Sequence, residues 1–81
     1  MNEHEMMAGV MAELTAIAPE VNPADLAPGK PLREQVDLDS MDWLNFLVGL
    51  HQRFQIDIPE SDYARLRTLA DLLDYLRARS A

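Results

Sequence analysis

Residues Leu38-Asp39-Ser40-Met41-Asp42-Trp43 stand where a proline-rich stretch gives way to the most apolar helical pattern in the chain. Ser, Asp and Asn cap helix N-termini because their side-chain oxygens accept from the N–H of N2 or N3. Two caps are possible here. If Asp39 caps, Asp42 falls at N3 in a carboxylate version of the capping box, and Ser40 becomes N1 with a free hydroxyl. If Ser40 caps, its oxygen is occupied and the two aspartates merely complement the helix dipole. An N-terminus with unpaired N–H groups favours negative charge, so a serine placed there suits a phosphate ester. An ordinary helix cap is the competing explanation.

Downstream, a helix is expected from about Ser40 to Arg53 or Phe54. With Leu47 at the centre of a helical wheel, Phe46, Leu50, Trp43, Phe54, Leu44, Val48 and Met41 span roughly 220°. A surface helix needs an apolar stripe of only about 100°. The excess predicts exposed apolar shoulders drawn from Met41, Trp43, Phe46 and Val48, a pattern that marks a binding surface. A long loop that covers the arc would serve equally well.

Upstream, Met7, Val10, Leu14 and Ile17, with Met11 and Ala18 beside them, recur at helical spacing from about Glu5 to Ala18. Pro19 ends that helix. Gly9 weakens the pattern slightly. Residues 19–39 hold Pro19, Pro23, Pro28 and Pro31, a long connection for a compact domain. Asn22-Pro23 reads as an N-cap and N1 pair, predicting one helical turn near 23–26. Leu26, Leu32, Val36 and Leu38 are placed to pin the loop to a core.

On the C-terminal side, Gln55 to Pro59 alternates like a short extended piece. Pro59 then opens a short helix reaching about Arg65. Thr68 with Asp71 forms another cap-like pair, and Leu69, Leu72, Leu73 and Leu76 follow at i, i+3, i+4 and i+7. That helix runs to about Arg79. The expected fold is all-α, a small four-helix bundle of three long helices and one short one, with a long first loop and a single domain over residues 1–81.

The 81 residues suffice for a modest core, since a chain this size buries about 60–65% of its unfolded surface. A deep, walled active site is not expected, and no Ser/His/Asp arrangement is supported by spacing. There is no cysteine, and His4 and His51 lack ligand-like companions, so neither disulfide nor metal site is expected. The acidic start, Glu3-His4-Glu5, and the absence of any ~18-residue apolar run predict neither secretory signal nor membrane span. A cytoplasmic monomer follows by default. Residues 1–42 carry nine acids and two bases, whereas residues 43–81 carry five of each, so the net −7 resides in the first half. No basic face is available for nucleic acid. Steering toward basic partners is possible, as is plain solubility.

The chain resembles acyl carrier proteins over nearly its whole length. The resemblance rests on Asp37-Leu38-Asp39-Ser40-Met41-Asp42 and, in register downstream, on Phe54-Gln55-Ile56-Asp57-Ile58-Pro59, similar to the family's F-x-[IV]-x-I-P join. It implies a freestanding acyl carrier, not an enzyme. Ser40 would be esterified with 4′-phosphopantetheine by a phosphopantetheinyl transferase, with Asp39 and Met41 bordering the cofactor. The arm's thiol would carry acyl groups as thioesters between acyl-loading and acyl-processing enzymes. Asp42, Trp43, Phe46 and Val48 would meet those partners. The chain departs from the family in two places, the first altering local loop geometry and the second pointing to a specialised fatty acid, lipid or polyketide pathway. Asp37 replaces a glycine common three residues before the serine, and Asn45, His51 and Arg53 fall where glutamates are common. A peptidyl or aryl carrier is the alternative, although Val36-Asp37-Leu38 lacks the paired glycine usual there. A helical interaction module without an arm is the other.

Overall fold

A computed structural model of the chain describes residues 1–80. Three long helices, α1 (Glu3–Ile17), α3 (Ser40–Phe54) and α4 (Leu69–Arg79), are joined by a one-turn helix α2 (Leu32–Gln35) and 3₁₀ turns at Pro23–Asp25 and Glu60–Arg65. Among the described residues the only β pairing is an isolated antiparallel bridge between Pro31 and Thr68.

Helix α1 starts two residues earlier than its apolar pattern, because the Asn2 side chain accepts from the Glu5 N–H at 2.8 Å. Its buried face is Met6, Gly9, Val10 and Leu14, whereas Met7, Met11 and Ile17 are only partly buried. The expected stripe is therefore rotated, and Gly9 explains why. A Cβ at Gly9 would lie 2.6 Å from the Phe54 ring, so the missing side chain lets α1 settle against α3 on that side. Gly49 of α3 reciprocates: a Cβ there would run into the Glu13 carboxylate, which lies over the helix and pairs with Arg53 Nε at 2.8 Å. The two helices approach through these two gaps.

Helix α4 has a capping box, Thr68 accepting from the Asp71 N–H and Asp71 from the Thr68 N–H, at 2.9 and 3.1 Å. Leu69, Leu72, Leu73, Tyr75 and Leu76 are its buried face. The Tyr75 hydroxyl donates to Asp62 at 2.6 Å, and Arg79 lies 3.5 Å from the same carboxylate and 3.6 Å from the Tyr75 ring centroid. This cluster fastens the Glu60–Arg65 turn onto α4. Burial of the side chain, followed by the hydrogen bond to Asp62, pushes the Tyr75 phenol above its ordinary range.

The long loop is fixed by the Gln35 amide. Its Oε1 accepts from the Ala27 N–H at 2.7 Å, while Nε2 donates to the carbonyls of Ala27 and Lys30, each at 3.0 Å. The Leu32 N–H donates to the Arg67 carbonyl at 2.9 Å, and the Ala70 N–H to the Pro28 carbonyl at 3.1 Å. Leu32, Val36 and Leu38 are buried and Leu26 partly so, as the sequence predicted. The turn at Pro23–Asp25 carries the expected Asn22 cap, which accepts from the Ala24 N–H at 3.2 Å.

Beyond α3, Gln55 adopts φ 55° as a left-handed C-cap. The extended stretch thus starts one residue later than its alternation suggests. Ile56 and Ile58 turn into the core.

Candidate functional site

The start of α3 resolves which residue caps. Asp39 has φ −80° and ψ −179°, and its carboxylate accepts from the Asp42 N–H at 2.8 Å. The Asp42 carboxylate accepts in return from the Asp39 N–H at 3.4 Å. The first intrahelical bond runs from the Trp43 N–H to the Asp39 carbonyl at 3.0 Å. Ser40 is therefore N1. Its side chain is exposed, and among the described residues no hydrogen bond engages its hydroxyl. The capping duty rests entirely on the flanking aspartates, which leaves a free alcohol at the positive end of a fifteen-residue helix.

The mount under this alcohol is firm. Leu38, two residues before it, is 6% exposed, and Trp43, three residues after it, is 8% exposed. Trp43 and Phe46 pack ring to ring with centroids 5.3 Å apart, tilted by 43°. Phe46 is fully enclosed. This corrects the expectation that Trp43 and Phe46 form exposed shoulders. The loop residues Leu32, Val36 and Leu38 join the same core cluster and cover that part of the arc. What stays outside is Met41, Leu44 and Val48, at 64%, 38% and 44% exposure. They fall at i, i+3 and i+7 on one stripe leading away from Ser40. Asp42 is half-buried beside them.

On the other side of the junction lies an open groove of about 540 Å³. Its lining includes Arg33 and Glu34 of α2, Leu38 of the loop, Trp43 of α3, Tyr63 of the Glu60–Arg65 turn and Arg67. The sequence reading missed Arg33, Tyr63 and Arg67, along with Leu44 as an exposed position. The three groove residues come from a one-turn helix, a 3₁₀ turn and a connector, where no periodicity reveals what they face.

Ser40 is not equipped as a catalytic nucleophile. His51 Nδ1 lies 2.7 Å from the Ile56 carbonyl, beyond the C-terminal end of α3, and His4 is an exposed residue of α1. A hydroxyl with no histidine beside it, and with its neighbouring carboxylates engaged in capping, suits an acceptor for a group delivered by another protein. It also fits a phosphodiester, being exposed, unbonded and set beside N–H groups that lack intrahelical partners.

Comparison with known proteins agrees. Residues 8–76 match the family model described as a phosphopantetheine attachment site. The chain is 28% identical over 81 residues to an acyl carrier protein of Thermosynechococcus vestitus, covering 100% of this chain and 99% of that one. It is 28% identical over 75 residues to the meromycolate extension acyl carrier protein of Mycobacterium leprae, covering 93% of this chain but only 64% of the relative's length. A solution structure described as a candidate acyl carrier protein from Anaplasma phagocytophilum superposes with a TM-score of 0.85 at 26% identity, over 100% of this chain and 94% of the other. Such proteins are carriers rather than enzymes, their cofactor is a covalently bound 4′-phosphopantetheine, and they work with transferases and acyl-processing enzymes. With a matching family model over most of its length and the matching fold, the chain belongs to the phosphopantetheine-attachment family of acyl carrier proteins.

Proposed function

We propose that this chain carries acyl groups as thioesters on a 4′-phosphopantetheine arm joined to Ser40, in a specialised lipid or related acyl pathway. The observation that supports the attachment point is the exposed, unbonded Ser40 hydroxyl at N1 of α3, relieved of capping by Asp39 and Asp42. In loading, the Ser40 oxygen forms a bond to the phosphorus of coenzyme A's phosphopantetheine. The pyrophosphate bond breaks and the adenosine bisphosphate half leaves. The serine proton passes to the transferase. Once attached, the arm supplies the terminal thiol that holds the acyl group.

The residues around Ser40 have separate roles. Asp39 and Asp42 hold the helix start in shape and repel the new phosphodiester, so the arm is pushed off the surface on their side. Met41, Leu44 and Val48, with Asp42 at the margin, offer partner enzymes an apolar strip bordered by one carboxylate. Trp43 and Phe46 act from beneath, setting the position of that strip rather than touching the partner. The meromycolate carriers among the relatives favour a lipid pathway. The test is incubation with a phosphopantetheinyl transferase and coenzyme A, followed by intact mass. One added arm on wild type, and none on a Ser40→Ala variant that keeps its helical circular dichroism, is the expected result. An unmodified wild type with several transferases would instead favour a helical interaction module.

A further inference from the structure

Arg53, Arg65, Arg77 and Arg79 each have a carboxylate 2.8–3.7 Å away. Among the described residues Arg33 and Arg67 have none, and both line the groove beside Ser40. Main-chain pairing brings them together across 34 positions of sequence. Pro31 bridges Thr68 and the Leu32 N–H donates to the Arg67 carbonyl, so Arg33 and Arg67 stand one position apart across an antiparallel contact. Arg33 Nε also donates to the Leu38 carbonyl at 3.3 Å, which fixes its guanidinium close to the serine junction. Glu34 supplies the groove's single lining carboxylate, leaving it net positive in a chain of charge −7.

Two guanidiniums held on one groove without matching anions repel each other, and a bound anion relieves that repulsion. Guanidinium pairs with a carboxylate, as it does with a phosphate, through two parallel hydrogen bonds, so the anion class is set by what else fills the groove. The remaining walls, Leu38, Trp43 and Tyr63, suit a methylene chain. A volume of about 540 Å³ lies within the roughly 300–1,000 Å³ of small-molecule sites and far exceeds the needs of one phosphodiester on Ser40.

Resting on the attachment of the arm at Ser40, we infer that this groove receives the acyl load and selects loads ending in a carboxylate, which Arg33 and Arg67 pair with. The favoured cargo is a dicarboxylic acyl group rather than a plain fatty acyl chain.

Trp43 walls the groove and is the chain's one tryptophan, so its fluorescence reports occupancy. A transferase is used to load the protein from coenzyme A, hexanoyl-CoA or adipoyl-CoA, the last two differing only at the far end of a six-carbon chain. Complete loading is verified by mass. The adipoyl form is expected to melt roughly 4–8 °C above the hexanoyl form and to shift Trp43 emission most. The difference should shrink as sodium chloride rises from about 0.1 M to 1 M. It should disappear in Arg33→Gln/Arg67→Gln and be at least halved in Arg67→Gln alone, a change at an exposed side chain. Equal melting of the two loads overturns the inference and points to ordinary apolar sequestration. A full shift from the unacylated arm overturns it in favour of the phosphodiester. A difference that survives in the double variant overturns it as well. Failure of any load to add mass at Ser40 overturns the attachment reading itself; full loading with equal melting leaves that reading standing.

Discussion

The molecule uses one local device twice. Asp39-Ser40-Met41-Asp42 and Thr68-Leu69-Ala70-Asp71 are both capping boxes, with first-to-fourth residue hydrogen bonds of 2.8 and 2.9 Å. At α4 the N1 residue, Leu69, is 3% exposed and belongs to the core. At α3 the same position is Ser40, in solvent beside an exposed Met41. The helix dipole and the orphan N–H groups are common to both ends, so they do not make a site on their own. What separates them is which way N1 faces once the helix has packed. At α3, Leu38 and Trp43 on either side take the buried positions and turn the intervening serine outward.

That contrast can be broken from several directions, the strongest first. Phe46→Ala removes the enclosed ring beneath α3 and should cost about 3–5 kcal/mol in denaturant unfolding, most of the stability of a small domain. A loss under about 1 kcal/mol would return Phe46 to the surface role first expected of it. Leu69→Ser writes a serine into N1 of the second box. It should cost about 2–5 kcal/mol, and any protein still folded should gain no phosphopantetheine at position 69. Modification there would mean that a capped N1 serine alone suffices. Asp39→Ala and Thr68→Ala should each cost about 1 kcal/mol, the ordinary value of an N-cap. Only the first should slow loading by a transferase, because only that cap positions the acceptor.

The smallest effect concerns the contact that fastens the Glu60–Arg65 turn onto α4. The Tyr75 phenol is raised above 10.0 by burial and by its bond to Asp62, so the folded state holds that proton more tightly than the unfolded chain. Stability from this contact is complete below pH 10 and is lost as pH rises through the raised value. Thermal melts above pH 10 should therefore fall more steeply for wild type than for Tyr75→Phe; parallel curves would remove Tyr75 from the account.

Much of this arrangement was legible from residues alone. The Thr68–Asp71 pair and the Asn22-Pro23 turn are local signals whose hydrogen bonds span two or three residues, and each forms as read, whereas the D-S-M-D junction marked the helix start but left open whether Asp39 or Ser40 caps it. The errors lie where distant segments decide. Periodicity on α1 could not distinguish Met6 from Met7, because the choice was made by Gly9 meeting Phe54 of another helix. The 220° arc of α3 was wide enough to demand a partner, yet its spacing could not say that Leu32, Val36 and Leu38 would cover the Trp43 and Phe46 side and leave Met41, Leu44 and Val48. The one-turn helix at Leu32–Gln35 had no apolar period, being held by the Gln35 amide. The Arg33–Arg67 juxtaposition depends on a single bridge across the chain.

The most direct test of the central claim is a tryptic map of the protein after transferase treatment. The chain has serines at 40, 61 and 80, and cleavage after Arg33 and Arg53 isolates residues 34–53, which contain Ser40 alone. The account predicts the full mass of one phosphopantetheine arm on that peptide and on Ser40 within it. An arm found on Ser61 or Ser80, or a fully unmodified 34–53 peptide, would contradict it.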